Sequence, residues 1–430
     1  MKALRERLQA AGQALRQRPM PPTGDAGLVS LPLTLGDYDG DWLTHLPAPA
    51  HPFCYQGRAD EREYHLGLGV AWEAEAAGPE RFAKLAAALA AARPAGAPLA
   101  FLGFAFSPDA SPALGNARLR LPTLLLSARA GQAEACFCAP RDRLEHDWSA
   151  MLDALDRPAP PSPPVRLTAA DEPGARVRWQ ARVDAALRAI AAGDFEKVVL
   201  TRERTVRADR DFSPGRILGH LLAGHTGSLV HAWQQAGACF LGATPERLIA
   251  LQDGNLDCDA LAGTAWQDSP ALELDKNCRE QQYVVAALRA WLEPHCEPGS
   301  LRVGPRTRRQ AGPLSHWQSR LQARGRPGTS LLGLAAALHP TPAVGGHPRG
   351  PALDWLAAAG EVRQAWYSGG IGRIDARGNG EICVALRSAW LQGRQAHLQA
   401  GAGIVAASDA ALEFAETGAK LDSVLAALRA

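Results

Sequence analysis

Two carboxylates and an ammonium group share one face of the last predicted helix. Glu413, Glu416 and Lys420 stand at i, i+3 and i+7, and residues at this spacing lie on the same side of an α-helix. The simpler interpretation is a solvated face with an ion pair between Glu416 and Lys420. The alternative is a functional site, because Gly401 and Gly403 precede the helix and let backbone N–H groups approach a ligand closely.

The glycines before this helix also imitate a dinucleotide-binding fingerprint. Gly401, Gly403 and Ala406 follow a predicted strand, Gln395–Gln399, and precede the helix. The fingerprint further requires a second parallel strand after the helix, with an acidic residue that binds the ribose. No such strand follows the helix in this sequence, so we do not expect an NAD site.

A third carboxylate, Glu280, lies on a helix face that should be buried. It is in register with Val284, Leu288 and Trp291. A buried carboxylate is costly unless a cation or a hydrogen-bond donor meets it. Together with Glu416 it could hold a hard cation such as Mg²⁺, and waters and an anionic substrate would complete the shell.

Three further charged residues occur within or at the ends of apolar strands. Lys197 is followed by Val-Val-Leu; a neutral buried lysine is a competent general base, although an ion-paired or snorkelling lysine is the simpler interpretation. Glu246 follows Pro245 at the end of a predicted strand, and a carboxyl kept protonated there would be a general acid. The simpler interpretation is that Glu246 is an ordinary turn residue. Arg387 ends the strand Ile382–Arg387, and its planar guanidinium suits a carboxylate. These residues jointly indicate a small polyanionic substrate bound with Mg²⁺.

The elements that position these residues are groups of strands between a few long helices. Predicted strands include Phe195–Arg202, Leu119–Ser127 and Glu381–Trp390, and Arg176–Ala192 is a predicted helix that ends at Gly193. This order predicts an α+β fold with antiparallel sheet. We assign residues 1–165 to an N-terminal scaffold part of the same fold and 166–430 to the catalytic core. The proline-rich connector 157–164 marks the boundary.

Composition excludes several classes of protein. The 430 residues are 47% hydrophobic, enough for a large core, and a net charge of +2 with dispersed Lys and Arg argues against nucleic-acid binding. We interpret the Arg-rich segment Arg302–Arg326 as a solvated loop. Eight scattered cysteines without metal-ligand spacing predict reduced thiols in the cytoplasm. No run reaches the roughly 20 apolar residues of a membrane span, and Met1–Arg18 is an amphipathic helix rather than a signal peptide.

Eight short pieces occur in an order that is typical of one family. The chain resembles the chorismate-utilising enzymes, and specifically the isochorismate synthases of menaquinone and siderophore pathways. The matching pieces are Phe195–Arg202, Gly242–Leu248, Ala260–Thr264, Leu338–Gly346, Trp366–Gly369, Gly378–Glu381, Val384–Arg387, and Ala400–Val405 with Glu413–Lys420.

The resemblance implies the Mg²⁺-dependent isomerisation of chorismate to isochorismate, in a fold of two packed antiparallel sheets surrounded by helices. Lys197 would activate a water for attack at C2, and Glu246 would protonate the departing C4 hydroxyl. Glu280 and Glu416 would bind Mg²⁺, assisted by Glu413 and Asn277. The residues implied to bind substrate are Gly263, Thr264, His316, Tyr367, Arg387, Gly403 and Lys420. We expect a monomer or weak dimer.

Two alternatives remain. Salicylate synthases resemble this chain but also expel pyruvate. Aminodeoxychorismate synthases carry a lysine nucleophile in the position of Ala262, so we do not expect their chemistry here. A non-catalytic chorismate-binding protein is the second alternative, against which the presence of both Lys197 and Glu246 argues. The chain departs from the family pattern at a few positions, which are Cys278, Gln281, Trp317, Gly370 and Arg373.

Overall fold

The computed structural model describes residues 2–16, 27–37, 42–47, 51–92, 99–110, 112–155, 162–169, 174–267, 269–312 and 314–429. Most of the predicted connector, 157–161, lies outside them. The α-helices of the described part are α1 Lys2–Arg16, α2 Arg81–Ala92, α3 Leu144–Leu155, α4 Ala175–Ala192, α5 Pro214–Gly224, α6 Asp275–Leu292, α7 Leu331–Leu338, α8 Arg349–Ala358 and α9 Ala410–Leu428. None of these helices is long and apolar enough to cross a membrane.

The strands form two sheets in which every pairing is antiparallel. The first sheet contains β1 Leu28–Asp37, β2 Phe53–Arg58, β3 Glu63–Leu68, β7 Leu124–Arg129, β8 Gln132–Pro140, β9 Leu167–Ala169, β10 Lys197–Ala208, β11 Leu229–Gln235, β12 Ala238–Thr244, β18 Gly346–His347, β21 Ser388–Gln392 and β22 Gln395–Ile404. The second contains β4 Trp72–Ala76, β5 Ala100–Phe104, β6 Ala117–Leu121, β13 Arg247–Gln252, β14 Asn255–Trp266, β15 Arg302–Val303, β16 Thr307–Ala311, β17 Leu314–Arg324, β19 Gly370–Ile374 and β20 Gly380–Val384.

The strand order places the site elements side by side. In the first sheet the order is β1-β8-β7-β3-β2-β11-β12-β21-β22-β10-β18, with β9 beside β10. In the second it is β15-β17-β14-β13-β20-β19-β5-β6-β4, with β16 beside β17. The predicted α+β fold of two packed antiparallel sheets with surrounding helices is confirmed. Both sheets take strands from before and after residue 165, and the division of the chain at that residue stays a prediction.

The two sheets pack face to face through aromatic side chains. Trp233 of β11 and Phe240 of β12 share one buried cluster with Phe101 of β5 and Ile371 of β19. Trp366 lies among them, with its ring centroid 5.0 Å from that of Trp233 in an edge-to-face arrangement. This packing fixes the backbone on which the next residue, Tyr367, enters the site.

Helices cover the outer faces of both sheets. Apolar side chains of α1, α3, α5 and α9 join those of the first sheet in one core, and side chains of α2, α6 and α7 join those of the second. Asp409 caps helix α9, since its carboxylate accepts hydrogen bonds from the N–H groups of Ala411 and Leu412 at 2.9 Å. Leu412, in the first turn of α9, is 71% exposed although it is apolar.

Three local predictions are wrong. Two stretches predicted as single strands, Leu119–Ser127 and Glu381–Trp390, each break into two strands that belong to different sheets. The Arg-rich segment Arg302–Arg326 is not a loop but supplies β15, β16 and β17. Ser319 and Leu321 of β17 are buried while the alternate residues Arg320 and Arg324 are exposed, so a strand with one buried side looks polar in sequence.

Candidate functional site

A single cleft collects most of the predicted site residues. Nine of the twelve line it: Glu246, Gly263, Thr264, Glu280, His316, Tyr367, Arg387, Gly403 and Lys420. Lys197 and Glu416 contact the lining residues Glu280 and Lys420, respectively. Glu413 stands one turn before Glu416 on α9. The structure therefore brings together the residues that the sequence singled out, although their roles stay predictions.

Lys197 and Glu280 form a buried ion pair across the cleft wall. The lysine Nζ, on β10, lies 2.9 Å from Oε1 of Glu280, on α6, and Lys197 has no exposed surface. The contact lacks hydrogen-bond geometry. Gly403 of β22 makes the pairing sterically feasible, because a Cβ at that position would collide with the Glu280 carboxylate and lie 2.9 Å from Lys197 Cε.

Glu246 is a buried carboxyl in the tight connection between β12 and β13. Its backbone is held by Thr244, whose hydroxyl accepts a hydrogen bond from the Glu246 N–H and donates one to the Val384 carbonyl. Burial, with a smaller contribution from Asp259, raises the pKa of Glu246 to about 8, although nearby cations oppose the shift. The carboxyl is therefore mostly protonated at neutral pH, as a general acid must be.

Arg387 and His316 fix one another at the cleft. Arg387 Nη2 donates to His316 Nε2 at 3.2 Å. Since a guanidinium can only donate, Nδ1 of the histidine carries the proton and faces the Thr264 hydroxyl at 3.1 Å and the Gly263 carbonyl at 3.3 Å. Burial and the charge of Arg387 hold the pKa of His316 well below its ordinary value.

The prediction that Arg387 belongs to a strand is wrong. The residue occupies the connection between β20 and β21, with φ at +49°, in the left-handed region that non-glycine residues rarely adopt. Its carbonyl accepts a hydrogen bond from Ala243 N–H at 3.1 Å, which helps to hold this backbone. Such strained residues often mark functional sites, and the sequence contains no signal for the conformation.

Arg363 is a positioning residue that sequence reasoning missed. Its buried guanidinium donates to the carbonyls of Val199 and Val344, at 2.8 and 3.3 Å, and to the Ser368 hydroxyl at 3.2 Å. All three acceptor residues line the cleft. One side chain thus joins three separate segments of the cleft wall beside Tyr367, whose phenol has a pKa raised by burial.

Each of the three predicted metal ligands contacts a lysine. Glu280 pairs with Lys197, Glu416 with Lys420 at 2.6 Å, and Glu413 with Lys276. No three His, Cys, Asp or Glu side chains within the described ranges form a metal-binding arrangement. Lys276 was not predicted, although a cation in the first turn of a helix is an unfavourable placement that could have drawn attention to it.

The carboxylates nevertheless fit a hard divalent cation by their chemistry. Burial and the charge of Glu416 raise the pKa of Glu413 to about 7, whereas lysine charges outweigh burial at Glu416 and lower its pKa. A buried carboxylate whose pKa is raised by a neighbouring carboxylate, as that of Glu413 is, would be stabilised by an ion of higher charge than an ammonium. Oxygen ligands from Glu280, Glu413 and Glu416 are those that Mg²⁺ prefers.

A comparison with known protein families matches residues 22–429, nearly the whole chain, to the model described as "Chorismate binding enzyme". The chain belongs to this family. It is the family that the eight sequence pieces resemble, and the prediction that the chain is an enzyme is confirmed.

Several curated relatives are isochorismate synthases by name. The "Salicylate biosynthesis isochorismate synthase" of Pseudomonas aeruginosa is 38% identical over 59% of this chain and 55% of its own length. The "Isochorismate synthase MenF" of Bacillus subtilis is 32% identical over 58% and 55%, respectively. The "Putative isochorismate synthase MenF" of Mycobacterium tuberculosis is 35% identical over 64% and 78%. The match spans about half the length of the first two relatives, and these names confirm the resemblance.

Solved structures share the fold of this chorismate binding enzyme. The Escherichia coli "MenF, the Menaquinone-Specific Isochorismate Synthase" superposes with a TM-score of 0.83 at 24% identity, over 99% of this chain and all of that one. "Anthranilate synthase component I" of Streptococcus pneumoniae superposes with a TM-score of 0.69 at 18% identity, over 84% of this chain and 92% of that one. At these identities the likeness concerns the fold alone.

Proposed function

We propose that this protein is an isochorismate synthase that converts chorismate to isochorismate with the help of Mg²⁺. The observation that carries the proposal is a buried carboxyl that stays protonated at neutral pH, Glu246, at the same cleft as the buried ion pair of Lys197 and Glu280. Binding alone would require neither a protonated acid nor a buried lysine. The names of the relatives support the same reaction.

The isomerisation needs one proton acceptor and one proton donor. A water oxygen forms a bond to C2 of the ring while the neutral amine of Lys197 takes a proton from that water, which requires that the lysine first give up its ion pair with Glu280. The ring double bonds shift, the C4–oxygen bond breaks, and Glu246 gives its proton to the departing hydroxyl, which leaves as water. One water enters and one leaves, so the product is an isomer of the substrate.

Cationic and hydrogen-bonding groups at the cleft suit the substrate's two carboxylates. Arg387 and Lys420 line the cleft, and a guanidinium can bind a carboxylate through two parallel hydrogen bonds. We assign the enolpyruvyl side to Tyr367, Arg387, Gly403 and Lys420. We assign the ring and its carboxylate to Gly263, Thr264 and His316. The protonated Nδ1 of His316 is held by the Thr264 hydroxyl and the Gly263 carbonyl.

The carboxylates of Glu280, Glu413 and Glu416 would hold the Mg²⁺, with Asn277 assisting through water. A bound Mg²⁺ would supply positive charge to neutralise the ring carboxylate of the substrate. Asn277 also organises the wall, since its Oδ1 accepts the Thr264 N–H at 3.2 Å and its Nδ2 donates to the Ala271 carbonyl at 2.7 Å. The isochorismate would feed menaquinone or siderophore synthesis. Location in the cytoplasm and a monomeric or weakly dimeric state stay predictions.

The decisive experiment is to incubate the purified protein with chorismate, with and without Mg²⁺, and to identify the products by chromatography. Isochorismate in equilibrium with chorismate, formed only with Mg²⁺, is the expected result. Unchanged chorismate under both conditions would contradict the proposal and leave a chorismate-binding protein without turnover.

A second candidate is a salicylate synthase, which would also release pyruvate from isochorismate. The name of the Pseudomonas aeruginosa relative, which places that protein in salicylate biosynthesis, is the observation that brings it forward. Salicylate together with an equal amount of pyruvate in the same incubation would move this chain to that branch.

A further inference from the structure

Lys276 is a charged residue at the site to which the proposed reaction gives no role. We propose that Lys276 is an internal cation that occupies Glu413 in the metal-free protein, must leave when a divalent ion binds, and thereby sets the metal affinity. This inference rests on the proposed function, because it assumes that the α9 carboxylates bind a metal.

The first step is the contact itself. The Lys276 ammonium, on α6, forms an ion pair and hydrogen bond with the Glu413 carboxylate, on α9. The glutamate side chain is 2% exposed, whereas that of the lysine is 22% exposed. The lysine therefore supplies the positive charge that a buried carboxylate requires, and it does so from the solvent side.

The second step is that the helix itself does not favour a cation at this position. Lys276 is the second residue of α6, where the helix dipole presents its positive end. Glu413 stands in the first turn of α9, where the dipole favours an anion. Glu280 and Glu416 also act electrostatically on the Lys276 ammonium. The carboxylates of the site, rather than α6, account for a lysine here.

The third step separates Lys276 from the other two lysines. Lys197 is fully buried, and Lys420 is bound both to Glu416 at 2.6 Å and to the Gly401 carbonyl at 2.8 Å. Lys276 does not line the cleft, and its flexible side chain reaches solvent. It is the ammonium group of the three that can move into water when another cation takes its carboxylate.

If two cations compete for one carboxylate, the direction in which the metal affinity changes on removal of the lysine charge can be measured. If the ammonium must be displaced, removing its charge should tighten metal binding; if it only holds Glu413 in place, removal should loosen it. The test is the affinity for Mn²⁺, measured by electron paramagnetic resonance without chorismate, for the unaltered protein, Lys276→Met and the charge-preserving control Lys276→Arg. We expect Lys276→Met to bind Mn²⁺ about fivefold more tightly or better, and Lys276→Arg to stay near the original value.

A double-mutant cycle shows whether the effect passes through Glu413. Glu413→Gln should weaken Mn²⁺ binding, and Lys276→Met added to Glu413→Gln should change the affinity no further. The inference would be overturned if folded Lys276→Met bound Mn²⁺ no more tightly than the unaltered protein. It would also be overturned if Lys276→Met tightened Mn²⁺ binding as much in the Glu413→Gln variant as in the unaltered protein. Lys276→Gln serves if the methionine variant does not fold. An unaltered protein that binds neither Mn²⁺ nor Mg²⁺ would instead overturn the metal in the proposed function.

Discussion

The Nζ of Lys197 lies 2.9 Å from Oε1 of Glu280, and the absence of a side chain at Gly403 is what leaves room for this pair. We expect Gly403→Ala to reduce kcat by about 100-fold or more, because small displacements at a reacting site cost that much. Gly350→Ala in α8 is the control, since a Cβ there would meet no neighbouring atom within 4 Å. Steady-state assays with chorismate measure both, and an active Gly403→Ala would contradict the proposed geometry.

Lys197 and Glu280 should fail in different ways when each is removed. Lys197→Ala should lose turnover yet keep Mg²⁺-dependent chorismate binding, because a general base acts only in the chemical step. Glu280→Ala should lose binding and turnover together. Isothermal titration gives the binding and product chromatography gives the turnover, with the exposed lysine variant Lys84→Ala as a control. A Lys197→Ala protein with normal turnover would exclude the lysine as base.

The protonated state of Glu246 predicts a loss of activity at high pH. Its pKa lies at about 8 in the folded protein without substrate, so kcat/KM should fall as the pH rises through that value and the acid loses its proton. Glu246→Gln, which cannot donate an acidic proton, should be inactive throughout. A pH–rate profile that stays flat to pH 9 would argue against Glu246 as the acid.

The same shift predicts how Glu246 affects stability. The folded pKa is raised from the ordinary 4.5, so the folded state binds more protons than the unfolded state between pH 4.5 and about 8. The free energy of unfolding contributed by this group therefore falls as the pH rises through that window. Glu246→Gln should gain several degrees in Tm over the original protein at pH 9 and none near pH 4. The exposed Glu80→Gln should show no such trend.

The sequence predicted those features of the architecture that depend on residues close together in the chain. The α9 stripe of Glu413, Glu416 and Lys420 follows from helical spacing alone. Strand breaks were harder, since Leu119–Ser127 and Glu381–Trp390 read as continuous apolar runs although each crosses from one sheet to the other. Such crossings depend on which strands lie beside them, and that is information from distant parts of the chain.

The candidate site divides in the same way. The identities of the twelve residues could be named from the sequence, but their pairings could not. Lys276 and Glu413 are 137 positions apart, and the Arg363 contacts join three segments of the chain. The left-handed backbone of Arg387 is likewise imposed by the neighbouring strands rather than by its own preference.

Replacement of Glu381, a buried carboxylate outside the cleft, should destabilise the protein. Glu381 lies on β20 of the second sheet and accepts hydrogen bonds from Arg247, at 2.7 Å, and from Arg58 on β2 of the first sheet, at 2.6 Å. Arg373 donates to its other oxygen at 3.4 Å. Glu381→Gln should lower the free energy of unfolding by about 3–5 kcal/mol, because it removes the buried negative charge that Arg58, Arg247 and Arg373 share.

The control for this prediction is Glu61→Gln, since Glu61 lies 3.9 Å from the same Arg58 but is 49% exposed, and exposed pairs contribute less than about 1 kcal/mol. Burial alone would raise the pKa of Glu381, but Arg58, Arg373 and Arg247 outweigh it and lower the pKa from 4.5 to about 2. The stabilisation is therefore present above pH 4.5 and lost as the pH falls toward 2. Urea unfolding of both variants and the original protein between pH 2 and pH 7 measures the difference, which should shrink in acid for Glu381→Gln. Equal losses for the two variants would show that the exposed and buried carboxylates do not differ as the structure requires.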